Sequence, residues 1–65
     1  MNNVLKDLRT ARGLTQQQLA EVLGVSRQTV ISIESGKYDP SLPLAFKIAR
    51  YLETTIEEVF IPAEP

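Results

Sequence analysis

Apolar side chains recur along this chain at intervals of three and four residues, a pattern typical of amphipathic helices. The stripes are formed by Val4, Leu5, Leu8 and Ala11, then by Leu44, Ala45, Ile48, Ala49 and Leu52, and last by Ile56, Val59 and Phe60. Residues that favour helix caps precede these stripes, namely Asn2 or Asn3, then Ser41, then Thr55. No segment alternates as a strand would, and residues 63–65 are expected to be loose. The pattern therefore predicts helices only.

Residues 15–36 predict two further short helices joined by a tight turn. Thr15 and Gln18 have the spacing of a capping box, in which each side chain accepts a hydrogen bond from the other residue's backbone N–H. Gly24 is expected to end the first of these helices, because glycine adopts the left-handed conformation readily. Ser26 can then cap the second helix.

This stretch resembles the helix-turn-helix of the Cro/C1 repressor family, also called the XRE family, in the string Gln16-x-x-x-Ala20-x-x-x-Gly24-Val25-Ser26 followed by Val30, Glu34 and Gly36. Ala20 is small enough for a close helix crossing, and Gly24 forms the turn. The order of five predicted helices also matches the family. The resemblance implies an all-α, five-helix lambda-repressor-like DNA-binding domain, in which the motif's second helix lies in the major groove and its first crosses the DNA backbone.

Length and charge fit one small domain with an uneven charge distribution. The 65 residues suffice for a single domain, 1–65, and are expected to leave no room for a ligand-sensing domain. Residues 1–50 contain all seven Lys and Arg against four Asp and Glu, a net charge of +3, whereas residues 51–65 contain four Glu and no base, a net charge of −4. The total of −1 argues mildly against a nucleic-acid partner, but the predicted helix-turn-helix portion is basic.

The composition also excludes several kinds of functional site. The chain has no cysteine and no histidine, which removes disulfides, thiolate chemistry and the usual zinc sites and favours a reducing compartment, so we expect a cytoplasmic protein. No apolar run is long enough for a membrane span, and the charged N-terminus lacks the pattern of a signal peptide. Without a glycine-rich phosphate loop or a cluster of metal ligands, we expect no enzyme activity, no cofactor and no metal.

The third predicted helix carries the candidate base-reading side chains. At about 100° per residue, its inward face falls at Val30 and Ile33. The opposite arc holds Arg27, Gln28, Ile31 and Ser32. Arg27 can donate two hydrogen bonds to guanine and Gln28 can pair with adenine, and the resemblance implies base contacts for both and for Ser32. One alternative is a solvated polar face of a surface helix, and for Arg27 another is a contact with a phosphate.

Ile31 departs from the family pattern, because the matching position is often polar. Its side chain could pack on a thymine methyl group. It could equally be half-buried beside the loop that follows the helix. The sequence leaves both interpretations open.

Phosphate contacts are predicted around the same helix. The resemblance implies one for Gln16, at the start of the second helix, where amide donors can face a phosphate. Further candidates are Ser26, Thr29, Lys37 and Tyr38. For Lys37 and Tyr38 the alternative is an ordinary loop surface.

A structural role is implied for Arg9 and Glu34. In the family, the matching residues form an ion pair between the first helix and the end of the recognition helix. Arg9 would then brace the recognition helix, and we expect the pair to be partly buried.

A homodimer is expected, because one recognition helix reads few base pairs and two-fold dimers read half-sites about 34 Å apart. The predicted dimerisation segment is 55–62, with Phe60, Ile61 and Val59 as interface residues, although these side chains could instead cover the core of a monomer. We predict a transcriptional regulator of bacterial or archaeal type that binds double-stranded DNA and represses. Two alternatives remain: an antitoxin that represses its own operon and binds a toxin, and a protein-interaction module that has lost DNA binding.

Overall fold

Five helices follow one another in the computed structural model, which describes residues 1–62. They are α1 (Leu5–Ala11), α2 (Gln16–Leu23), α3 (Arg27–Glu34), α4 (Leu42–Tyr51) and α5 (Ile56–Val59). The predicted fold class, a five-helix domain with a helix-turn-helix formed by α2 and α3, is confirmed. The expectation that residues 63–65 are loose lies outside the described residues.

Two very short strands correct the prediction of helices only. The strands β1 (Asn2–Asn3) and β2 (Phe60–Ile61) pair antiparallel, with Asn2 opposite Ile61 and Asn3 opposite Phe60. A strand of two residues is too short to show an alternating pattern, so periodicity could not reveal it. The pairing holds the beginning and the end of the described chain together.

The predicted caps fix where the helices of the motif begin and end. Thr15 Oγ1 accepts a hydrogen bond from Gln18 N at 3.0 Å, and Gln18 Oε1 accepts one from Thr15 N at 2.8 Å, which completes the capping box of α2. Gly24 ends α2 in the left-handed conformation with φ +73°. Ser26 Oγ then accepts from Thr29 N at 3.1 Å and caps α3.

The start of α1 differs from the prediction. Val4 occupies the cap position without a side-chain hydrogen bond, whereas Asn3 lies one residue earlier. The Asn3 side chain bridges two elements, because its Oδ1 accepts from Leu5 N at 3.1 Å and its Nδ2 donates to Ile33 O at 2.8 Å. Asn3 therefore connects the first turn of α1 to the last turn of α3.

One apolar core unites all five helices and β2. Its buried members are Leu5, Leu19, Ala20, Leu23, Val30, Ile33, Ala45, Ile48, Leu52, Val59 and Phe60. The predicted stripe of α1 is wrong at Ala11, which is exposed, because Arg9 continues the buried side of the helix after Leu5.

The core also corrects the predicted dimer interface. Val59 is fully buried and Phe60 is 5% exposed, because both pack inside this chain. Val59 and Phe60 therefore cover the core of this chain and are unavailable to a partner. Ile61 is 47% exposed, and for this residue the dimer contact stays a prediction.

Candidate nucleic-acid interface

The exposed side of α3 is set by how the helix packs. Val30 and Ile33 are fully buried against the other helices. Arg27 and Gln28, in the first turn, are exposed, whereas Ile31 and Ser32 are half-buried at the two sides of the helix. The four candidate base-reading residues therefore lie away from the core, and two of them, Arg27 and Gln28, present exposed polar side chains.

A shallow depression of about 230 Å³ follows one side of α3. It is lined by Ser26, Gln28, Thr29, Ser32 and Tyr38, and none of these residues carries a carboxylate. The loop after α3 folds back towards the helix because Lys37 N and Tyr38 N both donate to Ser32 O, at 3.0 and 3.2 Å. Candidate base-reading and phosphate-binding side chains are thus brought together here.

The hydroxyl groups at the start of α3 already have partners. Ser26 Oγ and Thr29 Oγ1 lie 2.9 Å apart and share a hydrogen bond, in addition to the cap that Ser26 provides. Both residues line the depression, so their oxygens remain near any ligand in it. Lys37 is exposed on the loop, and Tyr38 is 47% exposed.

A second depression, of about 250 Å³, lies on the other side of α3. Its lining residues come from α1, α2 and α3 with the cap that ends α3, and they are Lys6, Gln16, Ile31, Glu34 and Ser35. Ile31 is half-buried at this edge. Sequence reasoning assigned no function to Lys6, because its proximity to Gln16 and Ile31 depends on how α1 packs beside α3.

The ion pair between Arg9 and Glu34 is present and well enclosed. Arg9 Nε lies 2.7 Å from Glu34 Oε2, and the two side chains are 9% and 6% exposed. Arg9 Nη2 also donates to Glu34 Oε1 at 3.3 Å, and Arg9 Nη1 donates to Leu14 O at 2.8 Å. This set of contacts holds α1, the start of α2 and the end of α3 in fixed relation.

Gln16 takes part in the same network, which the sequence did not predict. Its Nε2 donates to Glu34 Oε1 at 3.1 Å, so the side chain spans from the first turn of α2 to the end of α3. The predicted phosphate contact of Gln16 is a separate role that stays a prediction. Its position in the second depression keeps it at the edge of α3.

Two other basic residues, Arg12 and Lys47, have partners away from α3. Arg12 pairs with Glu53 at 3.1 Å, and its guanidinium lies 5.8 Å from the centroid of the Tyr51 ring. Lys47 Nζ donates to Leu23 O at 3.0 Å, at the C-terminal end of α2, where a positive charge is favourable. Neither residue lines a depression beside α3.

Residues 1–62 contain no cluster of potential metal ligands. Within this range, no helix combines the length and the apolar character needed to cross a membrane. The site is consequently a surface of polar side chains along one helix, with two open depressions beside it.

Comparison with known proteins gives a consistent result. A family profile described as Helix-turn-helix matches residues 5–59. An HTH-type transcriptional regulator of Methanocaldococcus jannaschii is 61% identical over 61 residues, which cover 94% of this chain and 92% of that protein. The crystal structure of the restriction-modification controller protein C.AhdI from Aeromonas hydrophila is similar with a TM-score of 0.77 and 39% identity, covering 86% of this chain and 85% of that one.

Some of the similar structures belong to an enzyme. Hydroxypropylphosphonic acid epoxidase from S. wedmorenis matches with a TM-score of 0.82 and 32% identity over 94% of this chain, but the match covers only 32% of the epoxidase chain. The likeness is therefore to a third of that protein. It carries no argument for enzyme activity in this chain.

Proposed function

We propose that this chain, which belongs to the Helix-turn-helix family of DNA-binding transcriptional regulators, reads a specific double-stranded DNA sequence by placing α3 in the major groove. The observation that carries the proposal is the exposed polar side of α3, whose opposite side is anchored by the core and by the Arg9–Glu34 pair. A helix held in this way can present side chains to base edges in a fixed register.

Arg27 and Gln28 supply the strongest base readout in this proposal. Both are exposed in the first turn of α3. An arginine can donate two hydrogen bonds to guanine O6 and N7, and a glutamine can pair with adenine N6 and N7. Ser32 and Ile31 follow at the sides of the helix, with a hydroxyl and an apolar group that suit a base edge and a thymine methyl group respectively.

Phosphate contacts would flank this reading helix and fix its register. Gln16 occupies the first turn of α2, where backbone N–H groups lack helical partners. On the other side, Lys37 and Tyr38 extend from the loop after α3, and Ser26 and Thr29 lie at the start of that helix. These contacts position the protein on the duplex without reading sequence.

A homodimer completes the proposal. One α3 contacts few base pairs, whereas a two-fold dimer reads two half-sites about 34 Å apart and gains specificity from both. In segment 55–62, Ile61 is the large apolar side chain that remains exposed, so we place a dimer contact there. Such a dimer would act in the cytoplasm as a repressor that occludes a promoter.

The test is selection from a pool of randomised DNA duplexes at two salt concentrations, followed by sequencing. We expect an enriched inverted repeat with half-sites about one helical turn apart. Weak binding without an enriched motif, lost at moderate salt, would contradict sequence-specific reading. Purification of the chain with a second protein on the α3 face would instead favour an antitoxin or a protein-interaction module.

A further inference from the structure

Lys6 lines the second depression with Gln16 and Ile31 and, unlike them, has no role in the DNA contacts proposed so far. The volume of the depression is about 250 Å³, and it opens beside the exposed side of α3. Lys6 and Arg9 are three residues apart on α1 and therefore lie on neighbouring positions of one helix side. Because Arg9 points to Glu34 at the end of α3, Lys6 lies beside the same helix.

In this depression the negative charge of Glu34 has a partner, whereas the positive charge of Lys6 has none within residues 1–62. Glu34 is the depression's one carboxylate, and both oxygens of Glu34 accept hydrogen bonds from Arg9, with a further one from Gln16. Lys6 is exposed and forms no ion pair within residues 1–62. The depression therefore carries a positive charge that nothing in the described chain neutralises.

We propose that Lys6 binds a DNA phosphate, on the side of α3 opposite Lys37 and Tyr38. This inference rests on the proposed function, since α3 in the major groove brings the edges of the groove to the two sides of the helix. A lysine ammonium is a compact point charge that suits a backbone phosphate. Gln16, in the same depression, is a neighbouring amide donor for that phosphate strand.

The experiment measures the salt dependence of DNA binding for the whole chain and three variants. Lys6→Gln removes the charge, and Lys6→Arg keeps it. Arg50→Gln is the matched control, because Arg50 is an exposed cation on α4 that lines a groove without any residue of α3 and forms no ion pair within residues 1–62. A duplex of random sequence serves as the probe, since a phosphate contact needs no specific bases.

For Lys6→Gln, we expect the plot of log affinity against log salt to become less steep by about 0.9 for each bound chain. The ratio of wild-type to variant affinity should then shrink by about 3.5-fold per chain when salt rises fourfold. Lys6→Arg and Arg50→Gln should both keep the wild-type slope.

An unchanged slope for Lys6→Gln, or an equal loss for Arg50→Gln, would overturn the contact. The experiments distinguish the absence of a Lys6–phosphate contact from the absence of sequence-specific reading by α3. If the wild type binds the random duplex with the expected Lys6 effect but selection enriches no motif, the phosphate contact stands and sequence reading fails. If the wild type binds no duplex even at low salt, both fail.

Discussion

Removing one partner of the Arg9–Glu34 ion pair should cost far more stability than removing one partner of an exposed pair in the same chain. Both side chains are at least nine-tenths buried, so removing one partner leaves the other charge enclosed without compensation. Such a change costs on the order of 3–5 kcal/mol. A domain of this size has a total free energy of unfolding of about 3–10 kcal/mol, so Arg9→Met should remove much of it.

Urea unfolding followed by far-ultraviolet circular dichroism at fixed protein concentration measures the effect. The control is Arg12→Met, because the Arg12–Glu53 side chains are 37% and 80% exposed and such pairs contribute about 1 kcal/mol or less. We expect Arg9→Met to lower the free energy of unfolding by at least about 3 kcal/mol, and Arg12→Met to lower it by about 1 kcal/mol or less. Equal losses for the two variants would refute the reasoning from burial.

A double variant separates the cost of an uncompensated buried charge from the cost of lost packing. Arg9→Met combined with Glu34→Leu replaces the buried pair by apolar side chains of similar length, a change that is often neutral or stabilising. It should therefore recover most of the stability that Arg9→Met loses. Recovery will be incomplete, because Arg9 also donates to Leu14 O and Glu34 accepts from Gln16. If the double variant is less stable than either single variant, the uncompensated charge is not the cause.

Three further outcomes are expected. Gln28→Ala should weaken binding to the selected operator by about 1–3 kcal/mol and leave the affinity for an unrelated duplex unchanged. Fluorescence anisotropy measures both affinities, and equal losses on the two duplexes would exclude base reading by Gln28. Gly24→Ala should cost about 1–2 kcal/mol in urea unfolding from the left-handed backbone alone, since a Cβ there would lie at an ordinary 3.7 Å from Lys47 Nζ. Ile61→Lys should raise the dimer dissociation constant about tenfold or more in sedimentation, whereas an unchanged constant would remove Ile61 from the interface.

Local signals in the sequence were sufficient to predict the helix-turn-helix. The Thr15–Gln18 box, the Gly24 turn and the Ser26 cap each depend on residues within a few positions of one another, and each appears in the structure as predicted. The resemblance to the Cro/C1 family rests on the same residues and is confirmed by the match over residues 5–59. Local chemistry and family pattern therefore agree in this region.

Features that depend on distant residues were predicted less well. The two-residue strands join positions at opposite ends of the described chain, and Asn3 binds a carbonyl thirty residues away in α3. Val59 and Phe60 have the same apolar character whether they face the core or a partner, so the sequence could not assign them. Burial in the folded chain decides that they belong to the core.

In the candidate site, too, local features could be predicted from the sequence, whereas contacts between distant residues could not. Helical periodicity placed Arg27 and Gln28 on the outward side of α3, and both are exposed. The sequence did not predict a role for Lys6, because this residue lies on another helix and only the packing of α1 brings it beside Gln16 and Ile31.

The most direct test of the account maps the DNA-binding surface of the chain. Uniformly labelled protein would be titrated with the selected duplex, and amide chemical shifts would be followed by nuclear magnetic resonance. We predict that the largest changes fall in the first turn of α2, in α3 and in the loop at Lys37 and Tyr38, while the outer side of α4 around Arg50 stays unchanged. Changes concentrated on α4 or α5, with α3 unaffected, would contradict the claim that α3 reads DNA.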